Sequence, residues 1–173
     1  MTGTFADTAN FADIVVLATK GLVTINAIEL ADKNNFDGKV VLDTTNSIKD
    51  ASPVNGVLQF FTTPNNSLLK DIQSSIPGTQ VVKAFNSIGN SVLYKPSFNE
   101  GKPTMFICGN NAAAKQVVTG IYDAFGWETE DMGAVEAARA IEPLCQLWCI
   151  LGFTKNQWYH AFKLQNDKRV LVV

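Results

Sequence analysis

The sequence predicts an α/β fold: a doubly wound parallel sheet that carries a helical C-terminal extension. Three observations predict it. Residues 12–18, ADIVVLA, form a continuous apolar, β-branched run, the pattern of a strand buried on both faces of a parallel sheet. Runs of this kind alternate with segments of helical periodicity as far as residue 131. The stretch KVVLDTTNSI, residues 39–48, passes from apolar residues into Asp43, Thr44, Thr45, Asn46 and Ser47. Strands end this way in open sheets whose ligands dock beyond the strands' carboxyl ends.

After the first strand, Val23, Ile25, Ile28 and Leu30 mark a helix over residues 23–32, closed by Asn34, Asn35 and Gly38 before the second strand at 39–42. Residues 44–64 contain SPVNG and TTPNN and read as a long loop at a strand's carboxyl end, a position suited to a site. Asn65 or Asn66 is expected to cap a helix whose stripe is Leu68, Leu69, Ile72 and Ile76, with Pro77 and Gly78 stopping it. TQVVKAF, residues 79–85, is the third strand and residues 102–108 the fourth. Gly109, Asn110 and Asn111 open a helix carrying Ala114, Val117, Val118, Ile121, Tyr122 and Phe125, and a fifth strand follows near 127–131. Residues 134–151 read as an apolar helix covered on most sides, kinked or broken at Pro143, which cannot donate to the preceding turn. Residues 158–164 are expected to pack against it as the second member of an aromatic helix pair. Residues 1–133 are expected to form the sheet domain and 134–173 an extension within the same compact unit.

Bulk properties exclude several classes. With 173 residues, 46% hydrophobic and 17% charged, the chain is an ordinary globular sequence, neither disordered nor fibrous. A net charge of -2 without a basic run leaves no electrostatic footprint for nucleic acid or an anionic membrane, so small molecules or other proteins are the expected partners. No apolar run reaches spanning length and the opening MTGTFADTANFAD lacks the features of a signal peptide, so a cytoplasmic location is expected. Cys108, Cys145 and Cys149 show no C-x-x-C spacing, which argues against a disulfide framework. Cys145 and Cys149 share a helix face and are read as core; His160 is the sole histidine and sits among Trp158, Tyr159 and Phe162 as packing. Glu136, Arg139 and Glu142 recur at three-residue intervals and suggest an ion-pair ladder first and a ligand clamp second. No metal site and no catalytic acid or base is expected.

A nucleotide-binding doubly wound domain normally opens with strand, G-x-G-x-x-G turn and helix. No two of the twelve glycines lie two positions apart, so the fingerprint is absent from this chain. Its first three strands behave as the second half of such a fold, an incomplete, Rossmann-like sheet. Six colinear segments, ADIVVLATKG, GKVVLDTTNSI, VVKAFNSIGN, GKPTMFICGNN, FGWETEDMG and EAARAIEPLCQLWCILGF, together closely resemble the NADP oxidoreductase, coenzyme F420-dependent family over residues 3–164. The chain resembles a member lacking its first two strand-and-helix units. The first strand would then have a bare edge, and self-association through residues 13–18, or a fragment of a longer chain, is expected. The tail DKRVLVV, residues 167–173, lies beyond the resemblance and reads as an extra strand or a disordered end.

The resemblance implies hydride transfer between NADP(H) and a deazaflavin, coenzyme F420, or a similar acceptor. Such chemistry needs orientation and exclusion of water more than a protein acid or base. By resemblance, Thr19, Lys20 and Gly21 border the cofactor's phosphate and ribose, and Thr44, Thr45 and Asn46 approach the nicotinamide half; turn chemistry is the other reading of these residues. Lys83, Phe85 and Asn86 end the third strand where the family brings nicotinamide and acceptor together. Asn86 is suited to orient a carboxamide. Lys83, a cation in an apolar strand, either serves the ligand or pairs with Asp43 or Glu136. A homo-oligomer is expected. The alternative function is that of a non-catalytic truncated homologue or pseudoenzyme acting as an interaction module.

Overall fold

A computed structural model describes residues 2–165; the expectation for the 167–173 tail lies outside the described residues. Three parallel strands, β1 (Ile14–Leu17), β2 (Val40–Asp43) and β3 (Gln80–Lys83), lie side by side in sequence order. Helix α2 (Thr24–Leu30) makes the first crossover and α3 (Leu68–Ser75) the second. A second parallel pair, β4 (Thr104–Ile107) and β5 (Glu128–Asp131), is joined by α4 (Ala112–Ala124) and meets β3 through an antiparallel bridge from Lys83 to Cys108. Two short helices follow, α5 (Ala138–Ile141) and α6 (Leu144–Lys155). The α/β class and the five strands of the sequence reading are therefore observed.

Two apolar layers sandwich the sheet. Val15, Leu17, Val41 and Val81 point to one face, where Ile28, Leu69, Ile72 and Ile141 cover them. Leu42 and Val82 point to the other, under Val118 and Tyr122 of α4. This division overturns the expectation that the first strand is buried on both sides: Ile14 is 41% and Val16 55% exposed. The reason is reach. Helix α4 packs over β3 and β5, and no β1 side chain joins its layer.

Local departures have local causes. Helix α2 begins at Thr24 after a 3-10 turn, Gly21–Val23, so its buried stripe is Thr24, Ala27 and Ile28, while Val23 and Leu30 stay exposed. The cap of α3 is Ser67, whose hydroxyl accepts from the Lys70 N–H at 3.2 Å; Asn66 instead donates to Asp71. An additional helix, α1 (Phe5–Phe11), is closed by a capping box in which Thr4 and Asp7 accept from each other's backbone N–H. Hydrogen bonds from Thr4 hold the Asp7 carboxyl below its ordinary pKa.

The C-terminal region breaks at Pro143 as expected, with α5 ending at Ile141 and α6 starting at Leu144. Helix α6 buries only Cys145, Trp148 and Gly152, whereas Leu147 and Phe153 are exposed, so it is not covered on most sides. Its aromatic partner is not a helix. Residues 156–165 return as an irregular strap: the His160 ring stacks on Trp148 at 4.8 Å, and the Trp148 indole N–H donates to the His160 carbonyl at 3.0 Å. Gly152 leaves room for the Trp158 ring, which an added Cβ would meet at 2.1 Å. The ion-pair ladder does not form, because Glu142 turns inward to Lys83.

Candidate functional site

Parallel pairing brings Leu17, Asp43 and Lys83 abreast at the carboxyl ends of β1, β2 and β3. The chain beyond each strand then forms a wall. Thr44 prolongs the ladder, its N–H and hydroxyl both donating to the Leu17 carbonyl at 3.1 and 2.9 Å. After β1 the chain turns into α2, with the Thr19 and Thr24 hydroxyls hydrogen-bonded at 2.9 Å. Gly21 lies so close to the second wall that an added Cβ would fall 2.0 Å from the Asn46 carbonyl oxygen. Between these walls lies a cavity of about 560 Å³.

Six of the sequence-predicted residues, Thr19, Lys20, Gly21, Thr44, Thr45 and Asn46, line this one cavity. Ile48, Lys49 and Asp50 line it too. The sequence reading did not include them; the signal was their place in the same strand-end loop. Lys83, Phe85 and Asn86 do not line it. Lys83 and Asn86 are buried behind the wall, and Phe85 is turned toward α4.

Asn46 and Asn86 are tied together. The Asn46 amide donates to the Asn86 backbone carbonyl at 3.0 Å, and the Asn86 amide donates to the Ile141 carbonyl at 2.9 Å. Each donor faces a carbonyl, so turning either amide over would set two oxygens against each other. Both side-chain oxygens, Asn46 Oδ1 and Asn86 Oδ1, are buried without a partner among the described residues. Phe85 holds a left-handed φ of 51°, its N–H bound to the Tyr122 hydroxyl at 2.8 Å and its ring edge-on to Tyr122 at 4.5 Å.

Lys83 is fully buried, with its ammonium 2.9 Å from Asp43 Oδ2 and 3.5 Å from Glu142 Oε1. It also donates to the Thr45 carbonyl. The expected pairing with Asp43 is thus observed, and the second carboxylate is Glu142, not Glu136. Burial works against the charge on Lys83, but the two carboxylates outweigh it and raise its pKa above the ordinary value. Glu142 also accepts from the backbone N–H groups of Leu68 and Leu69, at 3.0 and 2.9 Å, at the start of α3. Its role was missed because helix spacing assigned it to an ion-pair ladder with Glu136 and Arg139. A lone acid beside Pro143 and a lone lysine in an apolar strand were the available signal. Neighbouring Cys108 is buried, which pushes its thiol up to about 12.

Among the described residues, no group of three or more His, Cys, Asp or Glu is disposed to hold a metal, and no helix is long and apolar enough to cross a membrane. What the arrangement can do is bind and orient: a cleft at strand ends, backbone at close approach, two lysines at the lining and unpaired acceptors behind.

No family model matches the chain. A solved structure from Arthrobacter sp. FB24, assigned as an F420-dependent NADP reductase, is 30% identical with a TM-score of 0.87, over 94% of this chain and 73% of that one. The F420-dependent NADP reductase of Methanocaldococcus jannaschii is 27% identical over 142 residues, which is 82% of this chain. The chain spans 62% of that relative's length. An imine reductase from Bacillus cereus shares the fold, with a TM-score of 0.60 at 12% identity over 88% of this chain and 45% of that one.

Proposed function

Because the chain belongs to the F420-dependent NADP reductase family, we propose that it is an oxidoreductase domain that binds NADP(H), with hydride passing to or from a deazaflavin or a similar acceptor. The observation that carries this reading is the cavity at the carboxyl ends of β1 and β2, lined by Thr19, Lys20, Gly21, Thr44, Thr45 and Asn46, where Gly21 has no room for a Cβ. Both the strand-end position and the lining fit a dinucleotide: close backbone approach suits its phosphate and ribose, and polar strand-end side chains suit its nicotinamide half. In this reading Thr19, Lys20 and Gly21 hold the phosphate and ribose, and Thr44, Thr45 and Asn46 orient the nicotinamide half. Lys83, Phe85 and Asn86 support that wall from behind. The cofactor supplies the hydride; the chain contributes orientation and a dry boundary, and no side chain need move a proton.

Titration of NADPH against the intrinsic tryptophan fluorescence tests the proposal. Saturable binding is expected, weakened about tenfold in Asn46→Ala, the worth of roughly one net hydrogen bond. No binding at millimolar NADPH overturns it. One observation favours a second reading, a non-catalytic interaction module: G-x-G-x-x-G occurs nowhere in the chain. Under either reading the chain is proposed to form a homo-oligomer through β1, on the support of its exposed Ile14 and Val16.

A further inference from the structure

The buried ion cluster contacts more of the cavity wall than a simple core pair requires. Asp43 Oδ1 accepts from the Thr45 N–H at 2.9 Å and from the Thr45 hydroxyl at 2.6 Å, while Lys83 takes the Thr45 carbonyl. Every polar group of Thr45 is therefore held by one ion pair. The next residue, Asn46, lines the cavity, with its Oδ1 buried and unpaired. Ser47 is tethered in turn, its hydroxyl donating to Glu142 Oε2 at 3.4 Å and accepting from Thr62 at 2.9 Å. Glu142 stands at the break between α5 and α6, and its neighbour Ile141 holds the Asn86 amide. Two separate lines thus run from the helix break to the strand-end turn: Glu142 through Ser47 and Lys83, and Ile141 through Asn86 and Asn46.

We propose that Glu142 is a positioning residue that holds the turn at residues 45–47 in the geometry that places Asn46 at the wall of the ligand cavity. The proposal rests on the reading of that cavity as a ligand site. A carboxylate is required here because three kinds of donor converge on it: an ammonium, a hydroxyl and two helix-start N–H groups. A neutral amide has one acceptor oxygen for the same set and would place an N–H against the donors. The turn would then keep its Asp43 clip and lose its outer tether.

The test compares Glu142→Gln with Ser67→Ala, which removes the cap of α3 without touching the turn. Native-state amide hydrogen exchange at residues 45–47 is read together with the Kd for NADPH, and urea denaturation records stability. Glu142→Gln is expected to speed exchange at 45–47 and raise the Kd about tenfold or more, the scale of a charge-assisted hydrogen bond. Ser67→Ala is expected to lower stability and move neither. Equal exchange in the two variants, or an unchanged Kd in Glu142→Gln, overturns the proposal. Should Glu142→Gln fail to fold, Ser47→Ala cuts the same tether from its other end and the same outcomes decide. Should the unaltered protein bind no NADPH, the functional reading fails and exchange alone decides: faster exchange at 45–47 supports positioning, and unchanged exchange overturns it.

Discussion

Gly21 and Asn46 meet without space for a methyl group, and both line the cavity. Gly21→Ala is expected to force the two walls apart, at a cost of about 1–3 kcal/mol for overpacking. Urea denaturation would show the loss, and a variant as stable as the parent would mean the walls move apart freely. Glycine at this position was legible in the sequence as part of a strand-end turn, as were Thr19, Thr44 and Asn46. The second carboxylate beside Lys83 was not. A lysine in an apolar strand needs a partner, but only the folded chain brings Glu142 to it, since pairing depends on where the helix break lands.

At the level of elements, β1 is the exposed one. Its buried side chains alternate with Ile14 and Val16 in solvent, and it pairs with β2 alone among the described residues. A flat, uncharged, β-branched edge favours pairing with another strand, and a lysine at its centre opposes that. Concentration-dependent self-association is expected in light scattering, with Val16→Lys shifted to monomer. A parent protein that stays monomeric at high concentration would remove the oligomer from the reading. Turn chemistry made most elements readable: the Pro143 break and the loop at 44–64 fall where the residues require. Helix α1 was equally readable from Thr4 and Asp7, a capping pair at the right spacing, but the opening residues were weighed only for signal-peptide features, which they lack. The strap at 156–165 was not readable, because its course is set by stacking on Trp148 and by the space above Gly152.

Across the whole molecule, the buried cluster makes stability a function of alkaline pH. Cys108 moves from an ordinary 9.0 up to about 12 on burial, and Lys83 rises above its ordinary 10.5. Both folded values lie above the unfolded ones, so the stability they contribute is complete below those ordinary values. Its loss begins as pH rises past the ordinary values, first for Cys108 and then for Lys83, and is complete once pH has passed the folded ones. Buried Tyr122 acts in the same direction. The urea midpoint is expected to fall steadily between about pH 9 and 11, with Cys108→Ala flattening the start of that fall. A midpoint independent of pH across that range would show that these groups are not buried as described.

The succession of strands and helices, the polar strand ends and the break at Pro143 were determined by the sequence, because each rests on neighbours close along the chain; so was the family resemblance, carried by six colinear segments. Tertiary structure decided which face of β1 is covered and which carboxylate serves Lys83. It also decided that six strand-end residues share one cavity while Lys83, Phe85 and Asn86 stand behind or beside it. These outcomes depend on distances between segments remote in sequence, and periodicity carries no information about where a packed helix stops.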